Sequence, residues 1–205
     1  ARFWYIIINM SKKAIIKAVC LSAVTFFIAC LAFFGLTYAL CPSTMASVAF
    51  RVNNKPLCLA YSERQYEKSG STSDLILLVE RSEWAEADGL TVKYGDALLL
   101  KENFKKVADK RGGDCYYRIL GIICKAYYNA GKTEKSAQVA LSRTGEYNAF
   151  APTRTVAYLA AENKDKATLG ILYDGLSSRS DAETNEILKS DVKAIKDKIE
   201  ELIKE

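Results

Sequence analysis

The chain has 205 residues, half of them hydrophobic and only three of them proline. That is enough for one packed domain and argues against a disordered chain. Its 29 basic and 24 acidic residues give a net charge of +5. Residues 1–42, however, hold four bases and no acid, so the remaining 163 residues carry 25 bases against 24 acids. A nucleic-acid-binding domain spreads more positive charge over its folded part, so no nucleic-acid partner is expected. Histidine is absent, which excludes His-based acid–base catalysis, Ser-His and Cys-His nucleophile pairs and His metal ligands.

The run ARFWYIIIN precedes Met10-Ser11-Lys12-Lys13, which has the form of a bacterial start. The expectation is that Ala1–Asn9 is upstream sequence, which an intact mass of the natural protein decides. Residues 1–17 read as a basic arm. From Ala18 to Leu40 follow 23 uncharged residues, closed by Cys41-Pro42. As a helix they span about 34 Å, against a hydrocarbon core of about 30 Å. They show none of the polar striping of a buried globular helix. A transmembrane helix is predicted over 18–41. A cleaved signal has a shorter apolar core and a small-x-small exit. Tyr38-Ala39-Leu40 is a poor exit, so an uncleaved anchor is the favoured reading and a cleaved signal the alternative. Lys12, Lys13 and Lys17 precede the span, which places the N-terminus in the cytoplasm and residues 43–205 outside the cell membrane. Ala23, Ala29, Ala32 and Gly35 give the span a small-residue face suited to helix packing.

Of the six cysteines, Cys20 and Cys30 fall in the span and read as apolar filler. Cys41, Cys58, Cys115 and Cys124 form no CxxC, so no metal site is expected. On one helix, Cys115 and Cys124 stand about 13 Å apart along the axis, too far for a disulfide. Buried free thiols are the preferred reading of these four.

Beyond the span the pattern is all-α. The segment 42–72 is juxtamembrane: Pro56 interrupts it and Asn53-Asn54 reads as a turn. A helical domain is expected over 73–205, punctuated by caps and glycines. Ser73 or Asp74 caps a helix to Ala87. One or two helices run from Gly89 to Lys110 and stop at Gly112-Gly113. Asp114 caps a helix through Ala130, ended by Gly131. Thr133 opens the next, to Gly145. Pro152 suits the first turn of another, Asp165 caps the one after, which fades near Ser177, and Asp181 caps a long final helix. On the helix after Asp114, Ile119, Ile122, Ile123, Ala126, Tyr127 and Ala130 make one apolar face. Tyr127 and Tyr158 are expected in the core with their phenol tips at its edge.

Three helix segments recur. Ala97-Leu98-Leu99, Ala126-Tyr127-Tyr128 and Ala157-Tyr158-Leu159 are spaced by 29 and 31 residues. The segment AYYNAGKTEKS, with Gly131 and Ser136, resembles the tetratricopeptide repeat family's Ala-Tyr-Tyr-x-x-Gly followed by a small residue. Gly95 falls where that family has its Leu-Gly glycine. The periods are shorter than the family's about 34 residues, Leu120 or Ala151 stands at its Trp position, and Glu102 and Glu162 stand where Gly131 does. The resemblance spans residues 89–178. It implies a short tetratricopeptide-like α-solenoid, in which each helix pair buries its outer face against the next. The final helix carries Leu188, Val192, Ile195, Ile199 and Leu202 as a heptad-like seam among charges. It reads as a capping helix, with a short coiled coil as the sharper alternative.

Arg118, Lys125 and Asn129 lie at i, i+7 and i+11, with Tyr128 beside them. By similarity to tetratricopeptide proteins these four residues line a partner-binding groove, with Val92, Leu99, Val156 and Leu159 as its walls. Cations, an amide and a tyrosine suit an extended peptide with an acidic group or a C-terminal carboxylate. No phosphate loop or paired-carboxylate site stands out. The expectation is therefore a membrane-anchored adaptor rather than an enzyme, with no cofactor. The alternatives are a structural subunit that makes its contacts through the transmembrane helix, and an exported domain with a cleaved signal.

Overall fold

The computed structural model describes residues 12–142, 150–182 and 186–204. Every regular element among them is an α-helix. The expectations for Ala1–Asn9, for Met10-Ser11 and for Gly145 as a helix end lie outside the described residues.

Helix α1, Lys12–Leu40, is unbroken. Its stretch Ala14–Leu40, 27 residues of mean hydropathy 2.4, is long and apolar enough to cross a membrane. Phe26, Phe27, Ile28, Phe33 and Leu36 all stand exposed. Its serine and threonine hydroxyls are satisfied internally: Ser22, Thr25 and Thr37 each donate to the carbonyl four residues earlier, at 2.9 Å. That is what a helix in lipid requires, because no water is there to pair with them. The helix ends because Pro42 has no N–H for the next rung. Cys41 leaves helical geometry at φ −128° and ψ 51°, and Pro42 opens α2, Pro42–Arg51.

The segment expected to be juxtamembrane is two helices. Asn53, in the left-handed region at φ 55°, turns the chain, a conformation asparagine tolerates. Asn54 then caps α3, Lys55–Ser69, by accepting from the Leu57 amide at 3.1 Å. Gly70 ends it at φ 61°. Helix α4, Thr72–Trp84, is capped by Ser71, whose hydroxyl accepts from the Asp74 amide at 3.1 Å. The cap is neither Ser73 nor Asp74, because the left-handed turn at Gly70 lets the helix start earlier.

The rest follows in short steps: α5, Asp88–Leu99; α6, Phe104–Asp109; α7, Cys115–Asn129; α8, Thr133–Ser142; α9, Ala151–Glu162; α10, Lys166–Ala182; α11, Glu186–Lys204. Gly112, Gly113 and Gly131 adopt positive φ at the expected stops, where a side chain would be strained. Pro152 sits in the first turn of α9. Asp165 caps α10 by accepting from the Thr168 amide at 3.0 Å. Helix α10 runs past Ser177 and contains Asp181, so Asp181 is no cap and α11 begins after it.

Helix α2 packs on α3, α3 on α4 and α4 on α5. Helix α7 touches α4, α5, α6, α8 and α9, so it is buried almost all round rather than on one face. Ile119, Leu120, Ile123, Cys124 and Tyr127 are fully buried, and each such aliphatic side chain contributes about 1.5–3 kcal/mol. Two apolar clusters meet on this helix. Ile123 and Tyr127 belong to one with α4 and α5; Cys124 and Tyr128 belong to the other with α8 to α11. Ala130 is exposed past the helix end, and Val92 and Val156 are core residues. On α11, Val192, Ile195 and Ile199 are buried in the second cluster, and the helix packs on α9 and α10. All six cysteines are free; Cys58, Cys115 and Cys124 are buried, whereas Cys41 is exposed at the break after α1.

Candidate functional site

The stripe expected on α7 meets an acidic stripe from α4. Arg118 is ion-paired with Glu80, which also takes Arg111 at 3.0 Å. Lys125 pairs with Glu83 at 3.0 Å. The Asn129 amide donates to the Asp88 carboxylate at 3.0 Å, where α5 begins. The hydrogen bond to Glu80 raises the Arg118 pKa above its ordinary value. The three residues share a face, as their spacing predicts, and each is held by an acidic group some forty residues earlier in the chain. Glu80 and Glu83 share a face of α4 at i and i+3, but their spacing does not name the helix they answer.

Tyr128 turns the other way. It is buried, and its hydroxyl donates to Asp165 at 3.2 Å. Burial of Asp165 is outweighed by the bonds from Thr168 and Tyr128, which together hold its carboxyl below the usual range. Tyr128 therefore ties α7 to the start of α10. Its neighbour Tyr127 hydrogen-bonds Asp96 on α5, and Lys135 on α8 reaches the same carboxylate at 2.6 Å. These two adjacent tyrosines pin α7 to both of its neighbouring layers.

The sequence reading missed a groove between α9 and α11. It encloses about 280 Å³ and is lined by Ala157, Tyr158, Ile195, Ile199 and Leu202, with Arg154 and Lys198 at the rim. Tyr158 is 77% exposed, where a core residue was expected. The alternation along α9 explains it: Val156, Ala157 and Ala160 fill the inner face, and the Tyr158 ring is left on the other. Arg154 is exposed and has no acidic partner among the described residues. Among those residues no cluster of three or more His, Cys, Asp or Glu stands together.

No protein-family model matches this chain, and neither a curated protein nor a solved structure shows significant similarity to it.

Proposed function

We propose that the protein is a membrane-anchored helical-repeat adaptor that holds a protein or peptide partner at the membrane surface. The observation that carries this reading is the α9–α11 groove, apolar inside and bordered by Arg154. It suits a partner segment with an apolar side chain for the groove and an acidic group for the guanidinium. The helix contacts support a tetratricopeptide-like solenoid. Successive pairs α4–α5, α7–α8 and α9–α10 stack, with α4 on α7, α7 on α9, α5 on α7 and α8 on α9. Helix α11 caps the last pair, since its seam is spent on its own chain. Helix α1 supplies the anchor. Lys12, Lys13 and Lys17 in its first two turns direct the N-terminus to the cytoplasm and the helical domain outside. Confinement raises the effective concentration of domain and partner together.

The test is capture of full-length protein from detergent-solubilised native membranes, with two double variants. Arg154→Glu with Tyr158→Ala should release a stoichiometric partner. Arg118→Ala with Lys125→Ala should retain it, because those cations are already paired within the chain. A partner kept by the first double variant would move the contact away from this groove. No stoichiometric partner at all would overturn the adaptor reading.

A further inference from the structure

A second groove lies between α2 and α4, lined by Ser47, Phe50, Arg51, Leu77, Arg81 and Trp84, and encloses about 440 Å³. Its composition is divided. Phe50 and Trp84 pack with their ring centroids 4.6 Å apart, and Leu77 adds aliphatic surface. Opposite them, the Arg81 guanidinium is held only by hydroxyls among the described residues: Ser62 at 2.9 Å and Ser47 at 3.3 Å. Asp74 lines the adjoining cleft with it, but its carboxylate is bonded by Gln65, Ser69 and Ser71, and a half-buried guanidinium with no direct ion pair is costly. Glu80 also lines the groove, but its carboxylate is taken by Arg111 and Arg118. The groove is therefore left with the positive charge of Arg51 and Arg81.

Its position is set by the chain. One residue, Cys41, separates the apolar helix α1 from α2. Ser47 and Phe50 stand five and eight residues past Pro42, which on a helix is at most about 8–12 Å along the axis. Headgroups extend about 5–7 Å beyond the hydrocarbon on each side. The end of α1 is fastened to α3 by Tyr38, whose ring lies 5.3 Å from that of Tyr61 and under the Arg64 guanidinium at 5.8 Å. Val48 and Val52 are exposed next to Phe50. Aromatic and basic side chains beside exposed aliphatic ones match a membrane–water interface.

We infer that the α2–α4 groove binds the headgroup of an anionic phospholipid. The phosphate sits between Arg81 and Arg51, and the glycerol and upper acyl chain lie on Phe50, Leu77 and Trp84. The inference rests on α1 spanning a membrane, which alkaline carbonate extraction of the native membranes tests separately.

The experiment titrates full-length protein in neutral detergent with phosphatidylglycerol, read by native mass spectrometry and by melting temperature. Phosphatidylcholine and inorganic phosphate are parallel arms. Phosphatidylglycerol should be retained and raise the melting temperature, and Arg81→Gln should weaken it about tenfold. The exposed Arg51→Gln, which leaves the Arg81 hydroxyl bonds in place, should weaken it less and guards against a folding defect in the first variant. In a Trp4→Phe background, Trp84 should be quenched by headgroup-labelled lipid in nanodiscs. Equal binding of phosphatidylcholine, binding of inorganic phosphate alone, or retention undiminished by both variants would each overturn the assignment. If α1 resists carbonate while phosphatidylglycerol fails to bind, the lipid site falls and the anchor stands. If α1 is extracted, the anchor and this site fall together.

Discussion

Gly95 on α5 lies so close to Ile123 on α7 that a Cβ built on the glycine would stand 3.1 Å from both γ carbons of the isoleucine. Ile123 is fully buried and, being β-branched, has little rotamer freedom to move aside. Gly95→Ala gains about 1 kcal/mol of helix propensity and meets about 1–3 kcal/mol of overpacking. The overpacking wins, and the variant should melt at a lower temperature. Gly121 is the control. Its added Cβ would meet only Thr155 Oγ1, at 3.5 Å, so Gly121→Ala should be neutral or stabilising. Thermal melts of both variants in the same detergent check the pair, and a Gly95→Ala protein as stable as wild type contradicts the close approach.

Thr153 is fully buried on α9, and its hydroxyl has no hydrogen-bond partner among the described residues. Leaving such a group unpaired costs about 1–3 kcal/mol. Thr153→Val keeps the shape and removes the cost. The variant should gain about 1 kcal/mol in chemical denaturation, whereas Thr153→Ala should not, because it leaves a gap.

Burial alone pushes the Cys124 thiol up to about 12. Cys58 is raised too, by burial first, against a smaller lowering by Arg81 and Ser62. Reactivity follows the thiolate and its access. At pH 8 a maleimide should label the exposed Cys41 in the folded protein and leave Cys58 and Cys124 unmodified until denaturant is added. Mass mapping of the labelled peptides reads the order. Rapid labelling of Cys124 without denaturant would contradict its place in the core.

The network of Asp96, Tyr127 and Lys135 sets a pH dependence at both ends. Burial pushes the Asp96 carboxyl up, but the hydrogen bonds from Lys135 and Tyr127 and the nearby lysine charges outweigh it, leaving the pKa below 3.8. A carboxylate with a depressed folded pKa adds stability above its unfolded value and loses it as the pH falls through the folded one. Asp96→Asn should therefore melt below wild type at pH 7, and the gap should close below about pH 4. Tyr127 shows the opposite sign. Burial and the Asp96 bond raise it from 10.0 to about 12, so its share of stability is full below pH 10 and lost as the pH climbs toward 12. Tyr127→Phe should flatten that alkaline loss, and paired melts of the variants across pH measure both limbs.

The individual helices were largely legible along the chain. Pro42, Gly112-Gly113, Gly131 and Pro152 act locally, by removing an N–H or by permitting positive φ, and a local cause can be read from a local pattern. Helices α2 and α3 escaped because the turn between them rests on Asn53 in the left-handed region and on a side-chain cap from Asn54, and because Pro56 reads as an interruption when it in fact sits in a first helical turn. Tyr158 was misplaced for a different reason. Its spacing matches that of Tyr127, but Tyr127 has α5 beside it and Tyr158 has open groove. Which side of a helix another element covers is not a property of that helix's own sequence.

Hydropathy, capping and helical period act over a few residues, so the local pattern of the chain already holds an apolar helix long enough to cross a membrane, an all-helical remainder and the shared face of Arg118, Lys125 and Asn129. Packing added that Glu80, Glu83 and Asp88 answer that face, that α11 buries its seam against its own chain, and that open grooves lie at Arg154 and at Arg81. Those outcomes depend on which helices are brought side by side. The pairings that result join residues 31 to 42 apart in the chain, and no local spacing encodes them.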